Sequence, residues 1–267
     1  MILPSAVLRN VRNFVSAMWG GGFELCVHIH KMSLLVWQTY TRAYLFVKNV
    51  DLTLRQMYVI GVESIPLVAV ISVFIGGEAV IQAQYQFSGF IPMRYLGFAV
   101  CKTLVAELCP VITSIVVSGR VSTAIAAEIG SMRTSEQLDA MTCLSLDSVR
   151  YLIVPKVLGA MIMMPILVII SELVAFLFSI LVAVTIVDVT MHMYLHGLRL
   201  FFSSFDMIVG IIKTSVFGAI IAFTGAHFGY EARKGAKGIG ESTTRAVMIS
   251  ALLILVFDFI IAYVLLR

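Results

Sequence analysis

Leu152–Val187 reads LIVPKVLGAMIMMPILVIISELVAFLFSILVAVTIV, an almost unbroken apolar run in which Lys156 and Glu172 are the charged residues. About 20 apolar residues, rising about 1.5 Å each, cross the hydrocarbon core of a bilayer. This run is longer than one crossing needs, and Pro165 lies inside it, so tilt, a kink or an extension beyond the membrane is expected. The same criterion marks four further windows: Met57–Ile81, Gly97–Ser118, Met207–Gly229 and Ala246–Leu266. The expected fold class is therefore all-α integral membrane, with five transmembrane helices.

Composition leads to the same class. Hydrophobic residues make up 60% of the chain and charged residues 13%, and the mean hydropathy is +1.00; no water-soluble core could hide so much apolar surface. A chain of 267 residues holds one bundle of several spans but not a bundle plus a nucleotide-hydrolysing domain of ordinary size. Residues 1–56 read as an N-terminal interfacial segment and 57–267 as the transmembrane domain. Cys26, Cys101, Cys109 and Cys143 show no CxxC spacing and read as apolar filler. The start, MILPSAVLRNVRN, lacks the pattern of a removable signal peptide.

Arg9, Arg12, Lys31, Arg42, Lys48, Arg55, Arg120, Arg133, Arg150, Lys156, Arg233, Lys234, Lys237 and Arg245 fall on one side of the five spans. They are most of the 19 lysines and arginines, so the positive-inside rule puts the N-terminus in the cytoplasm and Arg267 outside. Within Phe23–Val50, Ile29, Met32, Val36, Tyr40, Tyr44 and Val47 recur at helical spacing opposite Lys31, Gln38, Arg42 and Asn49. That pattern predicts an amphipathic helix in the cytoplasmic interface, with Trp37 and the tyrosines at headgroup level. A soluble helix packed on the bundle is the other reading.

Between the second and third spans, residues 119–146 form a polar, helix-prone connection that opens GRVSTAIAAEIGSMRTSEQLDAM (Gly119–Met141). Thr134-Ser-Glu-Gln137 fits a capping box and predicts a fresh helix start. Ala124, Ile125, Ile129 and Met132 give an apolar side, whereas Glu128, Arg133, Glu136 and Asp139 supply polar contacts. Such a segment suits a short surface helix docking into a partner's groove, and equally a connecting loop.

Charges inside spans are costly and usually face a partner or a wet cavity. With the orientation above, Glu107, Asp258 and Lys213 lie roughly 15, 12 and 9 Å below the outer boundary, all in the outer half. They form either a buried structural network or the lining of a cavity for a zwitterionic or anionic lipid headgroup. Glu63, near the cytoplasmic start of the first span, reads as structural, and Glu172 has no evident role. Gly218, Ala222, Gly225, Ala226 and Gly229 stripe the fourth span, and Ala106, Ser114, Ser118 and Ser122 the second, marking close helix contacts. His192, His196 and His227 show no carboxylate or cysteine at ligand spacing, so no metal site is expected.

The central run, followed by Asp147 and by Arg150-Tyr-Leu-Ile-Val-Pro155, resembles the signature of the MlaE/YrbE permeases, the membrane subunits of Mla-type ABC phospholipid transporters. The likeness continues through SVFGAIIAFTGAHFGYEA (Ser215–Ala232), GIGESTTRAV (Gly238–Val247) and the last span. The resemblance implies a homodimeric permease in a bacterial inner membrane, flanked by cytoplasmic ABC ATPases, with an MCE-domain protein on the periplasmic face. It admits a small cytoplasmic regulatory subunit. It makes Ala124–Met141 the coupling helix, with Glu128, Ile129, Met132, Arg133 and Glu136 as coupling residues. Glu107, Lys213 and Asp258 match polar positions of the family's lipid pocket, while Ala106 stands where better-known members have an arginine.

No catalytic residue and no cofactor is expected in this chain, ATP being hydrolysed on the partner subunit, and no nucleic acid is an expected partner. Gly235–Ser242, GAKGIGES, misses a P-loop because Glu241 stands at the lysine position and would repel phosphate; a turn before the last span accounts for it better. The competing functional class is a self-sufficient carrier or channel using Glu107, Lys213 and Asp258 as an ion relay. A scaffold that anchors partners without touching substrate is a third.

Overall fold

The computed structural model describes residues 28, 30–42, 50–87, 92–200 and 204–265. Among them there is no strand. Helix α1 covers residues 30–42. It is followed by α2 (Val50–Ile60), α3 (Ile65–Phe87), α4 (Leu96–Thr103), α5 (Cys109–Thr134), α6 (Gln137–Cys143), α7 (Val154–Thr185), α8 (Met191–Leu200), α9 (Ser204–Tyr230) and α10 (Ala236–Leu265). Five helical rods are long and apolar enough to cross a membrane: Val50–Phe87, Met93–Thr134, Val149–Thr185, Phe205–Tyr230 and Ala236–Leu265. The five expected spans are thus present. The first rod reaches further towards the N-terminus than Met57, because α2 joins α3 through a short 3₁₀ turn at Val62–Ser64.

The spans alternate in direction. α6 and the turn before α10 share one end of the bundle, while α8 lies at the other, between the third and fourth spans. α5 packs most extensively on α9, α3 on α7, and α7 on α9. Towards the α6 end the core is built from Val117, Val121, Ile125, Ile129, Phe217, Ile221 and Ile254; towards the α8 end it is Ile75, Val80, Leu96, Val100, Leu104, Val182 and Tyr194. By contrast, the outward faces of α3, α7 and α10 expose Phe74, Leu177, Leu252 and Phe259, as surfaces that meet hydrocarbon or another subunit do.

The small-residue stripes do what was expected of them. A side chain at Gly225 would run into Ser122 O and the Ile125 Cβ at 3.0 Å, and one at Gly229 into the Ile129 Cβ at 2.8 Å and Ala126 O at 3.1 Å. α9 therefore rides directly on the backbone of α5. Ser114, Ser118 and Ser122 on the facing span are completely buried. Lipid tails offer no hydrophobic incentive for helices to leave them, so backbone proximity and dispersion hold this seam.

Two expectations change. The polar connection is not a separate surface rod: α5 runs unbroken from Cys109 to Thr134, because Ile125 and Ile129 are core residues seated against α9. The capping box is absent, since Thr134 is the last residue of α5 and its hydroxyl donates back to Ser131 O (3.0 Å). α6 instead starts after Glu136, whose φ of 60° turns the chain with no side-chain cap. In α1, Met32 and Leu35 pack on the core and Thr39 is buried. Val36, Trp37 and Tyr40, of which Val36 and Tyr40 were placed on one apolar face with Met32, are exposed. The rest of Phe23–Val50 lies largely outside the described residues.

Two glycines admit a direct test. An added Cβ would lie 2.2 Å from Ala175 O at Gly76 and 2.5 Å from Ala160 O at Gly218, whereas at Gly119 nothing lies within 4 Å. Gly76→Ala and Gly218→Ala are expected to destabilise the folded protein by roughly 1–3 kcal/mol through forced helix separation. Gly119→Ala should leave it unharmed. Thermal unfolding of the detergent-solubilised protein, followed by size exclusion, measures all three.

Candidate functional site

Pro110 stands in the first turn of α5. Having no N–H, it leaves the carbonyl four residues back, that of Ala106, without its ordinary helical donor. The helix makes one wide π turn just before Pro110, Leu104–Leu108, closed by the Cys109 N–H on Leu104 O; such turns frequently mark functional positions. The turn presents Ala106 O and the Glu107 carboxylate to α9, and Lys213 reaches across to both. Its Nζ donates to Ala106 O at 3.1 Å and to Glu107 Oε2 at 3.0 Å.

From α10, Asp258 Oδ1 approaches the same nitrogen at 2.5 Å. This is a charge contact and not a well-directed hydrogen bond, since Oδ1 is otherwise unpartnered. The structure therefore brings together the three charges placed at one depth from the sequence. Lys213 is sealed, with 2% of its side chain exposed, Asp258 retains 17% and Glu107 43%. Formally the cluster carries one ammonium and two carboxylates, and Glu107 is its most accessible member. An ammonium is tolerable at such burial because two anions and a carbonyl replace its hydration.

Glu172, beside Ser171 on α7, is buried next to a small void lined by Pro165, Met207 and Thr214, while Ser171 joins Ser72 (2.7 Å) and Thr113 (2.9 Å). Glu63 pairs across to the second span: Arg120 Nη2 donates to Glu63 Oε2 at 2.5 Å, and Nη1 bonds Val59 O and Ser64 Oγ.

At the α6 end, the residues assigned to coupling separate into two groups. Ile129 is fully buried, so its side chain supports the segment from within. Met132 is partly buried against the same core. Glu128 accepts from the buried Lys156 at 2.5 Å, and the pair lines a cleft of about 340 Å³ with Leu52, Arg55, Gln56, Val59 and Tyr151. Arg133 and Glu136 are exposed and pair with Asp139 (2.7 Å) and Lys234 (3.2 Å). Asp147 binds Arg42 Nε (2.5 Å) and caps the Val149 N–H (3.1 Å), fixing α1 to the start of the third span. Gly235, with φ of 92°, turns the chain into α10, so the P-loop near-miss continues as a helix from Ala236.

Residues 53–264 match the model of a permease family, Permease MlaE. This chain belongs to the MlaE permease family. Among its relatives is a probable ABC transporter permease of Rickettsia bellii, 40% identical over 79% of this chain and 82% of that protein. Another, from Synechocystis, is 36% identical over 79% and 80%. The chloroplastic protein TRIGALACTOSYLDIACYLGLYCEROL 1 of Arabidopsis thaliana is 34% identical over 79% of this chain and 60% of its own length. The MlaE-family chain is thus a multi-pass membrane protein and the transmembrane permease subunit of an ABC transporter, a class whose ATPase is a separate partner subunit.

The sequence reading missed one assembly. It found no carboxylate at ligand spacing from His227, yet Glu231 lies one helical turn on, and His28 and Lys31 arrive from the N-terminal side. Burial alone would raise the Glu231 carboxyl, but the Lys31 hydrogen bond and the neighbouring His227 and His28 outweigh it and hold the group below its ordinary value. The i, i+4 spacing of His227 and Glu231 was legible; the approach of a segment 199 residues away was not.

Removing the buried ammonium tests the network. Lys213→Met strands Asp258 and is expected to cost about 3 kcal/mol or more, whereas Lys213→Met combined with Asp258→Asn should recover a substantial part. Thermal unfolding in one detergent compares the single variant, the double variant and the parent.

Proposed function

We propose that this permease moves phospholipids or related lipids between a bacterial inner membrane and its periplasmic side. In this reading it works as a homodimer with its N-terminus cytoplasmic and its C-terminus periplasmic, driven by the ATPase subunit and joined outside by an MCE-domain protein. The observation that carries the proposal is the cluster of Lys213, Asp258 and Glu107, formally one ammonium with two carboxylates, in which the Glu107 carboxylate stays half-exposed. That arrangement suits the ammonium of a zwitterionic headgroup, with Lys213 holding Glu107 in place rather than meeting phosphate itself. The Arabidopsis relative, which bears the name of a galactolipid, supports a lipid cargo.

The α5–α6 corner is the proposed entry point for force. Arg133 and Glu136 offer charges to the ATPase, while Glu128 and Ile129 transmit the push inward, Glu128 to Lys156 on α7 and Ile129 to Gly229 on α9. Such coupling requires the ATPase to bind the two permease conformations with different free energy.

Two experiments test this reading in reconstituted complex. Glu107→Gln should reduce zwitterionic lipid retained by the purified complex, read by native mass spectrometry, roughly tenfold, the worth of one charge-assisted hydrogen bond. Exposed Lys102, changed to Ala, should leave retention unaltered, and equal effects would remove the headgroup assignment. Arg133→Glu with Glu136→Arg should abolish ATP-driven lipid transfer while the bundle stays folded, because exposed pairs contribute little stability. Gradient-driven flux without ATP would instead establish a self-sufficient carrier.

A further inference from the structure

The imidazoles of His28 and His227 meet edge to face, ring centroids 5.3 Å apart and planes at 88°, beside the ring of Phe228 at 5.6 and 5.1 Å. Their nearest atoms converge with a carboxylate oxygen: His28 Nδ1 lies 3.0 Å from His227 Nε2 and 3.0 Å from Glu231 Oε2, and His227 Nε2 lies 3.8 Å from the same Oε2. One ring N–H can be aimed at only one of two acceptors, so hydrogen bonding alone satisfies this triangle poorly. Three ligands of a tetrahedral ion, bound at about 2.0–2.1 Å, stand about 3.3–3.4 Å apart. The observed triangle brackets that edge.

The surroundings also resemble a ligand shell. Lys31 Nζ binds the other carboxylate oxygen, Glu231 Oε1, at 2.6 Å, leaving Oε2 turned towards the imidazoles in the way an outer partner orients a metal-binding carboxylate. His227 is buried, with 4% of its side chain exposed, while His28 and Glu231 keep 34% and 25%. Among the described residues, the Phe228 ring gives the site an apolar flank, and the His28 and Glu231 side stays accessible for entry and for a fourth ligand.

We propose that His28, His227 and Glu231 form a site for a divalent transition metal of the zinc class. Two imidazoles and one carboxylate suit such an ion and not calcium or magnesium, which prefer all-oxygen sets. The ion joins the segment before the first span to the end of α9, next to Gly229 and Ala232, whose neighbours are Ile129 and Gly130 of α5. It would thus fasten the N-terminal segment to the corner where α5 ends.

Tag-free, full-length protein in detergent, stripped with a chelator, is titrated with zinc against a chromophoric competitor and, separately, with cobalt(II). The expected result is one zinc per chain and the intense visible absorption of tetrahedral cobalt. His28→Ala, His227→Ala and Glu231→Gln should each weaken zinc at least tenfold, and Lys31→Ala roughly tenfold. Size exclusion and unfolding in chelator show that each variant retains its fold; His28→Ala, outside the spans, serves if a bundle variant does not. Zinc at background level, or binding unchanged in His28→Ala, overturns the proposal.

Discussion

A single ammonium ties the membrane half of this molecule together. Lys213 leaves α9 and finds a carbonyl and a carboxylate on the second span and another carboxylate on the fifth, so three helices meet at one nitrogen. In hydrocarbon the alternative is an unsolvated charge, which makes the arrangement far less negotiable than any apolar contact around it. The rest of the packing conforms. α9 must come close enough to α5 for the lysine to reach, and glycine at 225 and 229 permits it by letting carbonyls and β-carbons of α5 touch the α9 backbone.

The same seam links the buried cluster to the α6 end. Ile125 and Ile129 continue the α5 face that begins with Ser114 and Ser118, so α5 stays helical well beyond what a bilayer requires. Ion pairs gather at that end: Arg120 with Glu63, Lys156 with Glu128, Arg42 with Asp147 and Lys234 with Glu136. Each joins segments that are distant along the chain. Exposed charges thus stand at one end of a small-residue seam whose other end reaches the buried charge cluster.

Much of this was legible in the amino acids. Long apolar runs mark the spans because a bilayer imposes their length, and the small-residue stripe on α9 announced its close neighbour. Depth counting brought Glu107, Lys213 and Asp258 to one level, since helix rise is uniform enough for such arithmetic. The errors share one physical origin. Local patterns such as Thr134–Gln137 state what a segment could do in isolation, and they cannot see that Ile129 is held by Gly229 a hundred residues later. In α1 the bundle takes Met32, Leu35 and Thr39 and leaves Val36, Trp37 and Tyr40 exposed, a division that an idealised wheel does not set. The meeting of His28 with Glu231 was invisible because no periodicity connects them.

The wide turn at Leu104–Leu108 gives the second span a fixed dial setting. Each residue of an α-helix advances the azimuth by about 100°, so one extra residue in a single turn rotates everything before it relative to everything after. α4 is thereby aimed at α8, with Gly97 against Tyr194 O, while α5 faces α9. Unwinding that turn by one residue would spin the α4 segment like a crankshaft throw, without bending the rod.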